Sequence, residues 1–218
     1  MVRNRSRFRM DYLNMEFTTK RLKMKTTALK KILLTLLLTG VASTASAGWA
    51  LKNTESTLNF ISVKKSKIAE VHHFKNIEGS VDDSGLVTVS VKMDSLETNI
   101  PIRNERMQKF LFETSQFPLA KVSTQIDNKE IDKLKVGDSF SKKLAFNISI
   151  HGHEQVLNAE MRVTLLAGNK LLVSTIKPTI LNLSQFALME GIEKLKALAK
   201  LPSISSAVPV TASFIFEK

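Results

Sequence analysis

Apolar residues recur at every second position along this chain, and that period restricts it to β-sheet. Val87, Val89, Val91 and Met93 alternate with Thr88, Ser90, Lys92 and Asp94. Leu144, Phe146, Ile148 and Ile150 alternate with Ala145, Asn147 and Ser149, and Leu157, Ala159, Met161 and Val163 with Asn158, Glu160 and Arg162. Val208, Val210, Ala212, Phe214 and Phe216 repeat the pattern. Successive side chains of a strand point to opposite faces, so each segment has one apolar and one polar side. Antiparallel sheet with one side on a core is built this way. Shorter segments at 58–63, 68–74, 77–81, 122–126 and 171–176 read as further strands. Asp82-Asp83-Ser84-Gly85 is a turn sequence, and Gly152 between His151 and His153 marks a second hairpin. About eight short-spaced strands suggest a barrel or a sandwich, and closure would remove exposed edges.

Two segments carry helical spacing instead. Residues 103–112 place Met107, Phe110 and Leu111 on one face, and residues 185–200 place Leu188, Ile192, Leu195 and Ala199 on one face, with Pro202 as the stop. Both are amphipathic and should lie on the sheet or across a barrel mouth.

Residues 24–47 have a different character. A basic start (Lys25, Lys30, Lys31) precedes an apolar run from Ile32 to Ala42, followed by Ala45-Ser46-Ala47. A basic head, a short apolar stretch and an A-x-A site form a cleavable export signal. An apolar run of about eleven residues is shorter than the roughly 20 a spanning helix needs. The expected organisation is an upstream extension over 1–23, a signal peptide over 24–47 and one domain over 48–218 starting at Gly48; either Met24 is the initiator or residues 1–23 are a long basic head of the signal. The expected location is the periplasm.

This division changes the meaning of the charge. The chain has 32 Lys+Arg against 20 Asp+Glu, a net +12. Residues 1–47 hold 10 of the basic and 2 of the acidic residues, which leaves 22 against 18, or +4, for the domain. The argument for a nucleic-acid partner, which rests on a strongly basic domain, is lost with the presequence. The absence of cysteine excludes disulfides, thiolate chemistry and a cysteine-linked lipid anchor.

Catalytic patterns are missing. No G-x-S-x-G elbow, glycine-rich phosphate loop or S-x-x-K nucleophile constellation of the lactamase kind occurs. The histidines form two pairs, His72-His73 and His151-x-His153. His72 and His73 are adjacent and point to opposite faces of a strand, while Gly152 places the second pair at a turn. The sequence after His153 fails H-E-x-x-H because position 157 is Leu. No metal, no cofactor and no enzymatic role is expected. An enzyme acting on a lipid or a small amide through His151 or His153 is the enzymatic alternative. Arg103 and Arg106 sit at the start of the first helix, where cations oppose the macrodipole. They call for a partner: Glu97, Glu105, Glu113 or a ligand headgroup, with a structural salt bridge to the sheet as the simpler reading.

From Trp49 onward the chain resembles the YceI-like family of lipocalin-like, polyisoprenoid-binding proteins. The matching features are Trp49-x-Leu51, Glu55-Ser56-x-Leu58-x-Phe60, Phe74-x-x-Ile77-x-Gly79, Leu96-Glu97-Thr98-Asn99, Ile102-Arg103-Asn104-Glu105-Arg106-Met107, Leu111-Phe112-Glu113, Phe117-Pro118, Ile150-His151-Gly152 and Val208-Pro209-Val210. Asn104 stands where the family commonly has an acid, and Arg106 where it has histidine. The resemblance implies an all-β fold: an extended antiparallel lipocalin-like barrel of about eight strands with two short helices, around a long apolar cavity. It implies a long-chain isoprenoid or other lipid as partner, with no nucleic acid and no stable membrane insertion; a homodimer is compatible with it. Leu58, Phe60, Val89, Val91, Phe110, Phe146, Ile148, Met161 and Phe214 are the expected cavity residues, and Arg103 and Arg106 the headgroup contacts. Alternation alone leaves two interiors open, a cavity or a barrel filled by its own side chains. A filled barrel would be an interaction module docking on a membrane or envelope partner.

Overall fold

The computed structural model describes residues 48–218. The expected signal peptide and upstream extension lie outside the described residues. The first half runs β1 (Trp49–Leu51), β2 (Thr57–Lys64), β3 (Ile68–Phe74), β4 (Ile77–Val81), β5 (Leu86–Lys92), β6 (Leu96–Glu97), α1 (Pro101–Phe110) and β7 (Leu119–Gln125). The second half runs α2 (Asn128–Asp132), β8 (Ser139–Ile150), β9 (His153–Leu166), β10 (Lys170–Thr175), β11 (Thr179–Asn182), α3 (Met189–Leu198) and β12 (Ala207–Glu217). Every strand pairing is antiparallel.

Eight strands close a barrel in the order β1-β4-β5-β7-β8-β9-β10-β12, with β12 returning to β1. β12 is the hub. Along one edge it pairs with β10 over Ser213–Glu217 and with β11 over Ala207–Val210. Along the other it pairs with β1 at Phe216 and Glu217 and with β2 over Val210–Ser213. β1 and β2 are thus one wall stave broken by a 3-10 turn at Asn53–Glu55. Asn53 bridges the break: its Oδ1 accepts from the Ile77 amide at 2.8 Å and its Nδ2 donates to the Lys75 carbonyl at 2.9 Å. β3 and β6 extend the sheet beyond β2.

The alternating segments all form strands. β8 and β9 pair from Ser139↔Thr164 to Ile150↔His153, leaving a two-residue turn. His151 and Gly152 both take positive φ there, +52° and +74°, as the twist of a tight hairpin requires. Three helices are present among the described residues, where two were expected. The additional one, α2, has five residues; Asp127 caps it by accepting from the Lys129 amide at 3.0 Å, and its Ile131 is buried in the barrel core. The segment expected as one helix over 185–200 divides into a 3-10 turn at Leu183–Phe186 and α3, separated by Ala187 at φ +53°.

The core has two parts. Ile77, Val81, Val89, Val91, Leu171, Phe214 and Phe216 pack inside the barrel with Ile131. Phe60, Leu96, Met107, Leu111, Leu183, Phe186, Leu188, Ile192 and Val208 join α1 and α3 to the sheet. The two helices meet closely at Gly191, where an added Cβ would stand 2.5 Å from the Phe110 carbonyl oxygen and 2.7 Å from the Leu111 Cα. A larger residue would push α3 off α1.

Candidate functional site

The inward faces of the barrel do not meet. They enclose a cavity of about 580 Å³ lined by both core groups, from Ile131 of α2 to Leu188 and Ile192 beside α1. This is within the range of ligand-binding cavities, roughly 300–1,000 Å³. Leu144, Phe146, Leu157, Ala159, Val173, Val210 and Ala212 point inward from the closed wall yet are only half-buried. Their remaining exposure faces the cavity. The interior is open, and the filled-barrel alternative does not describe it.

Leu58, Phe60, Val89, Val91, Phe146, Ile148, Met161 and Phe214 all line this space. Phe110 does not. Its ring is half-buried beside α3, with the ammonium groups of Lys109 and Lys194 at 5.2 and 5.8 Å from the ring centre. Met107 and Leu111 take the inward positions of this helix, and Phe112 follows them into the lining. Helical spacing identified the apolar stripe but not which of its edges α3 would cover.

Arg103 and Arg106 both line the cavity, three residues apart on one side of α1. Arg103 makes the expected salt bridge to the sheet, with Glu70 of β3 instead of Glu97, Glu105 or Glu113. Its Nη1 donates to Glu70 Oε2 at 2.9 Å and its Nη2 to the Thr98 carbonyl at 2.6 Å. Glu97 instead accepts from Lys75 at 2.6 Å, the Asn99 amide at 2.6 Å and Asn104 Nδ2 at 3.0 Å. The Lys75 and Asn104 hydrogen bonds lead in holding its carboxyl down at about 2. Glu113 is occupied by His151, at 2.8 Å. Among the described residues Arg106 makes no ion pair.

Among the polar lining residues that the sequence reading missed, four are gathered on the β2–β3 hairpin: Ser62, Lys64, Glu70 and His72. The inward positions of β2 read Leu58, Phe60, Ser62, Lys64, and those of β3 read Phe74, His72, Glu70. Both strands therefore change from apolar to charged along the same face. That polar interruption of an apolar alternation was the available signal. Lys64 Nζ lies 2.6 Å from Glu70 Oε2, and its hydrogen bond, with that of Arg103, holds the Glu70 carboxyl below the usual range. His72 is almost fully buried, and its Nε2 contacts Ser62 Oγ at 2.9 Å. Burial first, and then the Arg103 charge, keep its imidazole below its ordinary pKa, and so neutral at neutral pH.

The other histidines do not converge. His151 is held in its turn by Glu113 and packs against Phe117 with the two rings tilted and their centres 4.3 Å apart, while His153 is exposed. Among the described residues no group of three His, Cys, Asp or Glu side chains could hold a metal, and no helix is long and apolar enough to cross a membrane.

The YceI-like domain model matches residues 49–216. A polyisoprenoid binding domain from Saccharophagus degradans implicated in plant cell wall breakdown has a similar structure: TM-score 0.76, 31% identity, covering 78% of this chain and 97% of that one. BcnA of Burkholderia cenocepacia shares the fold at TM-score 0.57 and 13% identity, covering 76% of this chain and 98% of that one. No curated protein matches the sequence.

Proposed function

The chain belongs to the YceI-like domain family, and on that premise we propose that it is a non-enzymatic carrier of a long apolar lipid, such as a polyisoprenoid or isoprenoid quinone, held inside the barrel. The observation that carries this reading is the open interior: half-buried apolar side chains facing about 580 Å³ of unfilled space inside a closed wall. A chain of about ten carbons taken from water into that space gains roughly 8 kcal/mol before ordering costs. The relative from Saccharophagus degradans supports the lipid class, since it is a polyisoprenoid binding domain. A docking module with a packed interior is less consistent with the same space. Working in the periplasm fits the basic, apolar and A-x-A order of residues 24–47. In this reading the functional protein begins at Gly48, and residues 1–23 contribute nothing to it.

Native mass spectrometry of the protein purified from an exporting host, followed by lipid extraction, tests the proposal. The expected mass is that of residues 48–218 plus a released prenyl or alkyl lipid. Recovery of no lipid, together with no uptake of added prenyl lipids, would remove the carrier reading. A mass retaining residues 24–47 would remove the processing step alone.

A further inference from the structure

Among the described residues only three that line the interior are themselves exposed: Ile100, Ile102 and Ala199. They place the opening of the barrel between the start of α1 and the end of α3. The turn of the β2–β3 hairpin, Lys65-Ser66-Lys67, is fastened at the same end. Its Lys65 amide donates to the Ser203 carbonyl at 3.0 Å, and Lys64 bridges Ile204, both just beyond α3.

Around this opening the outer surface is apolar and cationic together. Ile68, Ile100, Ile102 and Leu198 are 37, 42, 51 and 38% exposed. Ile68 and Leu198 do not line the interior, so no molecule inside the barrel covers them. Lys65, Lys67, Lys109, Lys194 and Lys200 stand on the same rim, exposed, outside the lining and without an ion pair among the described residues.

The net charge of the domain is gathered here. Residues 64–70, 100–110 and 189–205 hold nine Lys and Arg against four Glu, a net +5, and the rest of 48–218 holds 13 basic against 14 acidic residues, a net −1. At the ends of β5 and β7 remote from α1 the sign reverses: residues 82–85 and 126–139 hold six acidic and three basic residues. A body charged in this way turns in the field of an anionic surface until its basic end leads.

We propose that this rim docks on an anionic phospholipid bilayer, with the four apolar side chains among the headgroups and the lysines around them, so that the opening faces the membrane. Lysines near an anionic leaflet and apolar side chains at the headgroup boundary are the two sources of peripheral membrane binding, and neither spans the bilayer. A nucleic acid would engage the lysines and leave the isoleucines in water. The proposal goes beyond the carrier reading and does not depend on what the interior holds.

Co-flotation of the exported protein with vesicles tests it. In about 0.1 M NaCl the protein should float with vesicles of equal parts phosphatidylglycerol and phosphatidylcholine and remain unbound with phosphatidylcholine alone, and about 0.5 M NaCl should release it. Lys67→Gln/Lys109→Gln/Lys194→Gln should weaken vesicle binding at least about tenfold. Lys133→Gln/Lys135→Gln/Lys143→Gln removes the same charge away from the rim and should weaken it less than about twofold. The two triples change net charge equally, so an unequal loss reports the face and not the total. Ile68→Ser/Leu198→Ser should also weaken binding, by about tenfold. Equal binding to both kinds of vesicle, equal loss in the two lysine triples, or a rim triple that instead separates a dimer in the absence of vesicles would each overturn the docking face. Flotation without uptake of any prenyl lipid would keep the docking face and remove the carrier reading; uptake without flotation would do the reverse.

Discussion

Replacing Ala159 or Ala212 with phenylalanine separates a hollow barrel from a packed one. Both alanines face inward on β9 and β12, line the cavity and are only half-buried within a closed wall. Each substitution adds a six-carbon ring to the cavity side. In a packed core such overfilling destabilises by typically 1–3 kcal/mol. In a hollow one the ring moves into empty space and gains contacts, so unfolding stability should be unchanged or higher by up to roughly 1.5–3 kcal/mol. The same ring takes room from a bound tail. Six displaced carbons at about 0.8 kcal/mol each set a ceiling near 5 kcal/mol on the lost affinity. Partial repacking of a flexible chain lowers this to about 2 kcal/mol or more, a loss of at least roughly 30-fold. Urea unfolding of the lipid-stripped variants measures the first effect, and titration with geranylgeraniol the second. Opposite signs, firmer fold and weaker binding, are the expected result. A fall in stability of more than about 2 kcal/mol with binding untouched would falsify the hollow-barrel argument.

Other outcomes follow from single contacts. Gly191→Ala should lower stability by about 1–3 kcal/mol in urea melts despite the better helix propensity of alanine, because its Cβ meets the backbone of Phe110 and Leu111; no change would mean that α1 and α3 are not closely seated. Gly152→Ala places a Cβ at φ +74° and 3.1 Å from the Phe117 ring, so a loss of about 1–2 kcal/mol is expected in the same assay. Glu97 has a folded-state pKa near 2, below its unfolded value of about 4.5, so the stability it provides is fully present above about pH 4.5 and is lost as pH falls toward 2. Glu97→Gln should therefore flatten the acid limb of a plot of urea midpoint against pH; an unchanged limb would contradict the Lys75 and Asn104 pairing. By the same linkage, the His72 imidazole should gain its proton only below its ordinary 6.5 in an NMR titration, and protonation above that value would show that its burial is wrong.

The strands were legible because each is long enough to alternate. β5, β8, β9 and β12 show their period over seven or more residues, and the sequence pattern marks them directly. β6 and β11 have two and four residues and no period to read. α2 turns too briefly for a helical stripe to emerge. Eight of the nine apolar residues expected in the cavity line it, because inward direction follows from alternation in a strand. Phe110 lies outside the lining because direction on a helix depends on which neighbour covers it, and α3 lies about 80 residues further along the chain. The expected salt bridge from Arg103 to the sheet is present, but its partner was not named for a related reason: Glu70 is 33 residues away and is brought near only by the β2–β3 hairpin packing against α1. Charge at a helix start signals that a counter-charge exists, not which one.

The hub position of β12 has a consequence for how the protein is made. Until Ala207–Glu217 emerges, β1, β2 and β10 each lack one of their two neighbours, β11 lacks the strand it pairs with, and the seam at Phe216 and Glu217 cannot be sealed. Contacts spanning most of the sequence form slowly and late. A nascent copy still threading out is therefore an unclosed sheet with its greasy side bare, and on the proposed carrier reading any lipid would enter only after the chain is complete.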